Sequence, residues 1–532
     1  MNTTARLRQA VRNRPWIAEV LVLSAVLALA VALGFSRLVR ASYDHDEDQF
    51  IASARLLADR GLLPYRDYPF FHTPYLTFVY SLILPLTGTY NLLGARLFSL
   101  LCSIGAILVL ILITRDLFRS HSLGIRLWAE AGLLFLLLPS PLFADANQRG
   151  WNHGLAVLFT LLAFSGCYFS WRRRNTLWWL FASGLCLGVA VGARLSLLTA
   201  LPAFLVAILL FAPRGRAVWR PLLTLLGGFL AALTPMLVLF LVSPESFLFG
   251  NLGYARLNTL YRFDIPAAFG PMTLPDKFTY LRTDVIGQQP TLLLFLSYTL
   301  AITILGYRLW RGRAPRFEMA LVLLMAPCVA VGSFLPTPSW YQYFFAPVFF
   351  ALIAIAFALA YLTRLSGRRA TAIMVAFSQL VILANIYGLE DYRRMSFLLH
   401  PDQWRPLMFH KTGSEIREAL EAFAPGGSHR VLTLGPLFPL EAGLDIYPAF
   451  ATGPFAWRTS PYLDAESRKA LGVISAEDLE AYLADSPPDG ILVGFASRLE
   501  NALEEYAQQR GYSAVEIDSD YRLWIRPTQN AP

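Results

Sequence analysis

Long apolar runs dominate this chain and restrict it to folds whose helices are surrounded by lipid. One bilayer crossing needs roughly 17–25 predominantly apolar residues. Full-length runs lie at 17–38, 92–114, 151–171, 219–242, 291–309, 317–335, 341–362 and 370–388. Shorter or interrupted runs at 126–143, 176–192 and 194–212 also read as crossings, which brings the expected number to eleven. One more run, 74–87, spans only about a dozen residues and contains Pro85, a length that marks a re-entrant or interfacial segment. The chain is 56% hydrophobic and 15% charged, too apolar for a soluble globular protein. The expected fold class is a mainly α, polytopic membrane protein with about 11 transmembrane helices.

The net charge of +9 is unevenly distributed. Residues 1–388 hold 32 Lys/Arg against 15 Asp/Glu, and 389–532 hold 13 against 21, giving +17 and −8. The basic excess forms clusters at 6–14, 115–126, 172–174, 214–220, 308–316 and 364–369, and short loops rich in Lys/Arg stay cytoplasmic. With eleven crossings, and 74–87 not crossing, all six clusters fall on the side of the N-terminus; making 74–87 a crossing inverts five of them. The arginines are topology signals, so no nucleic-acid partner is expected. The run at 17–38 is too long for the apolar core of a cleavable signal peptide and reads as an uncleaved first span. Cys102, Cys167, Cys186 and Cys328 all fall inside apolar runs and read as small hydrophobes.

Two stretches outside the membrane are long enough for chemistry: outer loops 40–73 and 243–290. The tail changes character at 389. Residues 412–423, 475–485 and 498–510 pattern as helices and 430–435, 490–495 and 513–526 as strands, with Thr412 and Glu415 in capping-box spacing. The expected organisation is a transmembrane domain over 1–388 and a small extracytoplasmic α/β domain over 389–532.

The densest chemical signal is Tyr43-Asp44-His45-Asp46-Glu47-Asp48, just beyond the first span. Phe50, Ile51, Ala54, Leu57 and Ala58 follow at helical spacing, so a helix should start near Asp46 and lie flat on the membrane surface. Acids favour the first turn of a helix, which accounts for one or two of the four carboxylates. Four so close repel one another unless a cation or a developing positive charge lies nearby. A carboxylate at this boundary suits a general base acting on a hydroxyl.

Asp46-Glu47, Phe50, the helix Ala52 to Leu57, Gly61, Pro64-Tyr65-Arg66-Asp67 and His72-Thr73-Pro74-Tyr75 together resemble the first outer loop of the GT-C glycosyltransferases. Within that superfamily the resemblance is to bacterial relatives of the protein O-mannosyltransferases and of the lipid A aminoarabinose transferase, and the order of spans follows it over most of 1–388. It implies a GT-C-like helical bundle with surface-lying helices in the outer loops, and an inverting transfer of sugar from a polyprenyl monophosphate. It also implies Asp46 as catalytic base with Glu47 beside it. Gly94-Ala95-Arg96-Leu97 is similar to the family's glycine and arginine before its next span. Asp145, Asn147 and Arg149 stand where relatives often place another acid, and Ala193-Arg194 stands where they commonly carry a Thr-Lys pair. Trp340-Tyr341-Gln342-Tyr343-Phe344 resembles the aromatic start of a late span, with Gln342-Tyr343 in place of a frequent His-Tyr.

The resulting candidates are Asp46 and Glu47 for catalysis, and Asp44, Arg66, His72, Asp145, Arg149, Arg194, Arg256, Tyr341 and Tyr343 for substrate binding. A divalent metal is a candidate cofactor, with Asp46 and Asp145 as its candidate ligands. Arg194 is the leading candidate for the donor phosphate. Each also has a plainer reading: Asp145 as a solvated acid paired with Arg149, the aromatics as an interfacial belt, Arg194 as a side chain snorkelling to headgroups. Arg256, Tyr261, Arg262, Asp264 and Lys277 in the second loop could bind sugar or phosphate, against the plainer reading that such loops are generally polar.

Three functions compete: a glycosyltransferase, a transporter of a polar or lipid-linked solute, and a noncatalytic scaffold with an outer sensor domain. A transporter places ionisable groups near the midplane, whereas the acids here gather at outer span ends. The absence of a nucleotide-binding fingerprint agrees with a lipid-linked donor. The expected partners are a polyprenyl-phosphate-linked sugar, a cell-envelope acceptor and the bilayer. The expected location is a bacterial cytoplasmic membrane, with the active site and the tail on its outer face.

Overall fold

The computed structural model describes residues 15–172, 177–212, 218–265, 272–312, 316–364, 368–423, 425 and 429–527. The arginines at 6, 8, 12, 14, 173, 174, 214, 216 and 313 used in the topology argument lie outside the described residues.

Among the described residues, seven helices are long and apolar enough to cross a membrane: Ile17–Arg40, Asn91–Leu117, His153–Arg172, Gln289–Trp310, Phe317–Phe334, Tyr341–Leu362 and Arg369–Tyr387. Two bent pairs raise the number to nine: Leu123–Leu137 with Pro141–Asn147, bent by 71°, and Trp219–Ala232 with Thr234–Val242, bent by 48°. Pro141 and Pro235 sit just beyond the breaks, where a missing N–H and the ring interrupt the helical ladder. The expectation of eleven thus comes down to seven to nine by length. Residues 176–192 and 194–212 form the shorter helix Leu177–Ala193 and a 3-10 turn leading into Leu201–Phe211. Residues 74–87 form the short helix Tyr75–Ile83 and a 3-10 turn over Leu84–Thr87.

Leu177–Ala193 packs closely on Trp219–Ala232 through small residues. A Cβ on Gly184 would lie 2.0 Å from the Leu225 carbonyl oxygen, and one on Gly228 2.1 Å from that of Phe181. Close backbone approach of this kind supplies the dispersion energy that holds helices together in lipid, where water cannot drive association.

The tail folds around a five-stranded mixed sheet in the order β2-β1-β3-β5-β4. The strands are β1 Arg430–Thr433, β2 Asp445–Ile446, β3 Gly490–Val493, β4 Ser513–Glu516 and β5 Arg522–Ile525. β1 runs parallel to β2 and β3, and β5 runs antiparallel to β3 and β4. Two expectations need correction. The single strand over 513–526 is a hairpin, because Asp518 turns the chain by accepting from the N–H groups of Asp520 and Tyr521. The first helix runs Arg405–Phe423, so Thr412 is not its cap and instead donates to the Met408 carbonyl.

The tail and the helical bundle share one core. Phe409, Ile416, Leu437 and Phe438 are buried in the same cluster as Phe50, Ile51 and Leu92. The Tyr43 ring lies 4.3 Å from Phe409 and 5.2 Å from Phe495. Leu92 N–H donates to Glu441 at 2.7 Å, and Arg37 and Arg40 both pair with Asp391. The helix after the acid motif, His45–Arg60, is therefore not a surface helix lying on lipid. Its residues from Glu47 to Ala54 are all buried, because the tail covers the side that a lipid-lying helix would leave open.

Candidate functional site

Asp44 caps the His45–Arg60 helix, its carboxylate accepting from the Asp46 N–H at 2.9 Å, while Gly61 ends the helix in the left-handed region. The four acids then part company. Glu47 points inward and takes both arms of Arg96 at 2.9 and 2.7 Å, with neither side chain exposed. Gly150 N–H gives Glu47 a third bond at 2.7 Å, and Arg96 also donates to the carbonyls of Leu38, Ala41 and Ser42. The pair locks the acid turn onto the Asn91–Leu117 helix. Glu47 is thus placed beneath the site, with its oxygens already taken, and not among groups open to substrate. Asp48 points toward the tail, accepting from the Tyr43 hydroxyl and the Leu437 N–H. Burial pushes its carboxyl well above the usual range.

Asp46 faces the open side. It lies within electrostatic reach of Arg194, Tyr343 and Tyr254. The partners of Arg194 are Ser196 at 3.1 Å, Asn152 at 3.4 Å, His153 at 3.2 Å, and the Tyr343 ring 4.2 Å beneath its guanidinium. His153 stacks on Tyr343. His72 stacks on Phe50, and burial with Arg194 nearby pulls it down to about 3, so its imidazole is neutral at physiological pH. The loop carrying His72 is pinned by Tyr65, whose backbone is left-handed at φ 67° and whose hydroxyl donates to the His72 carbonyl. A β-carbon makes that conformation costly, and the surrounding contacts hold it.

The second outer loop contributes Tyr254–Asp264, a helix whose buried positions are Tyr254 and Arg262. Arg262 sits over the Trp340 ring at 5.0 Å and senses Arg458, Tyr254 and Tyr343. Arg458, from the tail, donates to the Tyr254 hydroxyl at 2.9 Å. His153, Tyr254 and Arg458 were not among the sequence candidates, whereas Arg262 was one of five second-loop residues read as able to bind sugar or phosphate. Positions 254 and 262 are eight apart and share a helix face, a signal available in the sequence. Nothing local marks Arg458.

Several candidates do not join this group. Arg66 is nearly half exposed and forks onto its neighbour Asp67. Arg256 is exposed, two residues and therefore about 200° from Tyr254 on the helix. Asp145 pairs with Arg149 at 3.2 Å, and Arg149 lies 4.8 Å over Trp151. These two form a flank to Asp44, whose carboxyl is raised by burial first and by Asp46 next. Tyr341 lies beside Thr291 and Tyr280 and not on Arg194. Lys277 is held by the Phe334 and Pro336 carbonyls and Thr337. Among the described residues, the group with metal-ligand spacing is Asp44, His45 and Asp46, whose donor atoms lie within 4.8 Å of one another; Asp145 is not part of it.

No protein-family model matches this chain, and no curated protein sequence matches it. Solved structures do. ArnT from Cupriavidus metallidurans bound to undecaprenyl phosphate superposes with a TM-score of 0.62 at 15% identity, covering 97% of this chain and 98% of that one. Its apo state gives 0.61 at 14%, covering 94% and 97%. The Archaeoglobus fulgidus oligosaccharyltransferase tethered to an acceptor peptide gives 0.50 at 14%, covering 91% and 70%. The chain shares the fold of ArnT over nearly its whole length. It is a polytopic membrane protein built like ArnT.

Proposed function

We propose that this chain is an inverting glycosyltransferase that moves a sugar from a polyprenyl monophosphate to a hydroxyl of a cell-envelope acceptor, with the site and tail on the outer face of a bacterial cytoplasmic membrane. The observation that carries the reading is the environment of Asp46: a part-exposed carboxylate at a helix start, faced by Arg194 and by two tyrosines that link it to Arg262. The GT-C fold supports it, and undecaprenyl phosphate is the ligand in one of the similar structures.

In this mechanism Asp46 accepts the acceptor's hydroxyl proton as the oxygen attacks the anomeric carbon from the face opposite the phosphate. The bond between that carbon and the phosphate oxygen breaks, and its electron pair leaves with the lipid phosphate. Arg194 offers a fixed cation where that charge develops, in a setting that excludes most water and so strengthens the interaction. Neutral His72 leaves the guanidinium's charge available. Asp44, His45 and Asp46 would hold a divalent ion through hard oxygens and one imidazole, and such an ion would supply positive charge to the site.

Arg194→Ala should raise KM for the lipid-linked donor severely and Arg194→Lys partially, since Lys cannot form the bidentate grip. Acceptor KM should hardly change. Parental donor kinetics in Arg194→Ala would remove Arg194 from this role.

A further inference from the structure

Arg262 and Arg458 are both buried, at 9% and 8% exposure, and their Nε atoms have no hydrogen-bond partner. Each feels the other's charge, and among the described residues neither makes an ion pair with a carboxylate. What surrounds them is aromatic. Trp340 lies 5.0 Å from the Arg262 guanidinium, and Phe455 and Tyr261 lie 4.5 and 5.4 Å from that of Arg458. The Tyr254 hydroxyl accepts from Arg458 at 2.9 Å. Burying one cation without a counter-charge is expensive, and burying two side by side is more so. Cation–π contacts recover only about 0.5–2 kcal/mol each. A bound anion removes the penalty.

The two arginines come from different parts of the chain. Arg262 belongs to the second outer loop. Arg458 lies in the last turn of the tail helix Pro454–Thr459, whose Phe455 packs against His45 at 5.2 Å, next to Asp46. We propose that Arg262 and Arg458, with Tyr254, form a phosphate-binding subsite completed by the C-terminal domain. Two guanidiniums offer forked donors to a phosphate group, and the domain thereby becomes part of the catalytic unit. This inference rests on the glycosyltransferase reading only for the source of that phosphate, a lipid headgroup or a phosphate free in water.

The test is direct binding by the purified full-length protein in detergent, with a polyprenyl monophosphate and inorganic phosphate as separate probes. Arg458→Ala should weaken at least one probe tenfold or more. Arg458→Lys should restore part of the loss, because the charge returns even though the guanidinium's bond to Tyr254 does not. Weakening of the lipid probe assigns the subsite to the donor, and weakening of inorganic phosphate alone assigns it to a water-borne phosphate. If Arg458→Ala melts early, Arg458→Gln and Arg458→Lys carry the comparison, since a purely structural side chain would show losses that follow melting temperature and not charge. Unchanged binding of both probes in a folded Arg458→Ala or Arg458→Gln protein overturns the subsite. Failure of the parent protein to bind the lipid, with a phosphate response that still depends on Arg458, would count against the lipid donor and leave the subsite standing.

Discussion

Asp46 and Asp48 stand on one helical turn and meet opposite surroundings. Asp46 is part-exposed and within electrostatic reach of Arg194, whereas Asp48 is fully buried, with one oxygen lacking any partner. Its raised carboxyl means that the folded chain keeps a proton which the unfolded chain releases. The stabilising contribution is therefore complete below the usual carboxylate range and is lost as pH rises from there through the raised value. Asp48→Asn removes that dependence. Its melting temperature should decline less than the parent's between about pH 4 and pH 8, while turnover is largely kept. A parental slope in Asp48→Asn would show that Asp48 is ionised in the fold.

At the scale of elements, the buried Glu47–Arg96 pair carries the join between the acid-capped helix and the Asn91–Leu117 helix. Removing one partner strands the other charge, at a cost of about 3–5 kcal/mol. Arg96→Ala and Glu47→Ala should each lower the melting temperature in detergent substantially, and replacing both by apolar residues should recover much of the loss. Equal turnover defects without any loss of stability would restore Glu47 to the chemistry. The start of this helix was legible in the sequence because cap, acids and apolar spacing agree within a few residues. Its setting was not, because amphipathic spacing alone cannot tell lipid from a covering domain. The hairpin at 513–525 carried its own signal in Asp518-Ser519-Asp520, a turn-forming run. Arg96 was noticed as a motif residue, but its partner became visible only when two helices met.

For the whole molecule, the apolar runs made the helical membrane fold legible, and the first-loop motif pointed to the GT-C superfamily. The site was half legible. Asp46, His72, Arg194 and Tyr343 come together, whereas His153 and Arg458 arrive from distant segments that only tertiary packing joins. The arginine pattern further predicts the N-terminus inside and the tail outside. In intact cells Ser519→Cys should react with an impermeant thiol reagent and Ser122→Cys should not, with the opposite result inverting the topology. The central claim is that Asp46 serves as the base of a sugar transfer. The most direct measurement is release of polyprenyl monophosphate from a lipid-linked sugar by purified protein in a bilayer, comparing parent with Asp46→Asn. The account predicts a 100- to 10,000-fold lower rate in Asp46→Asn, the range expected for a lost general base, with donor binding and melting temperature retained. Release at the parental rate would contradict it.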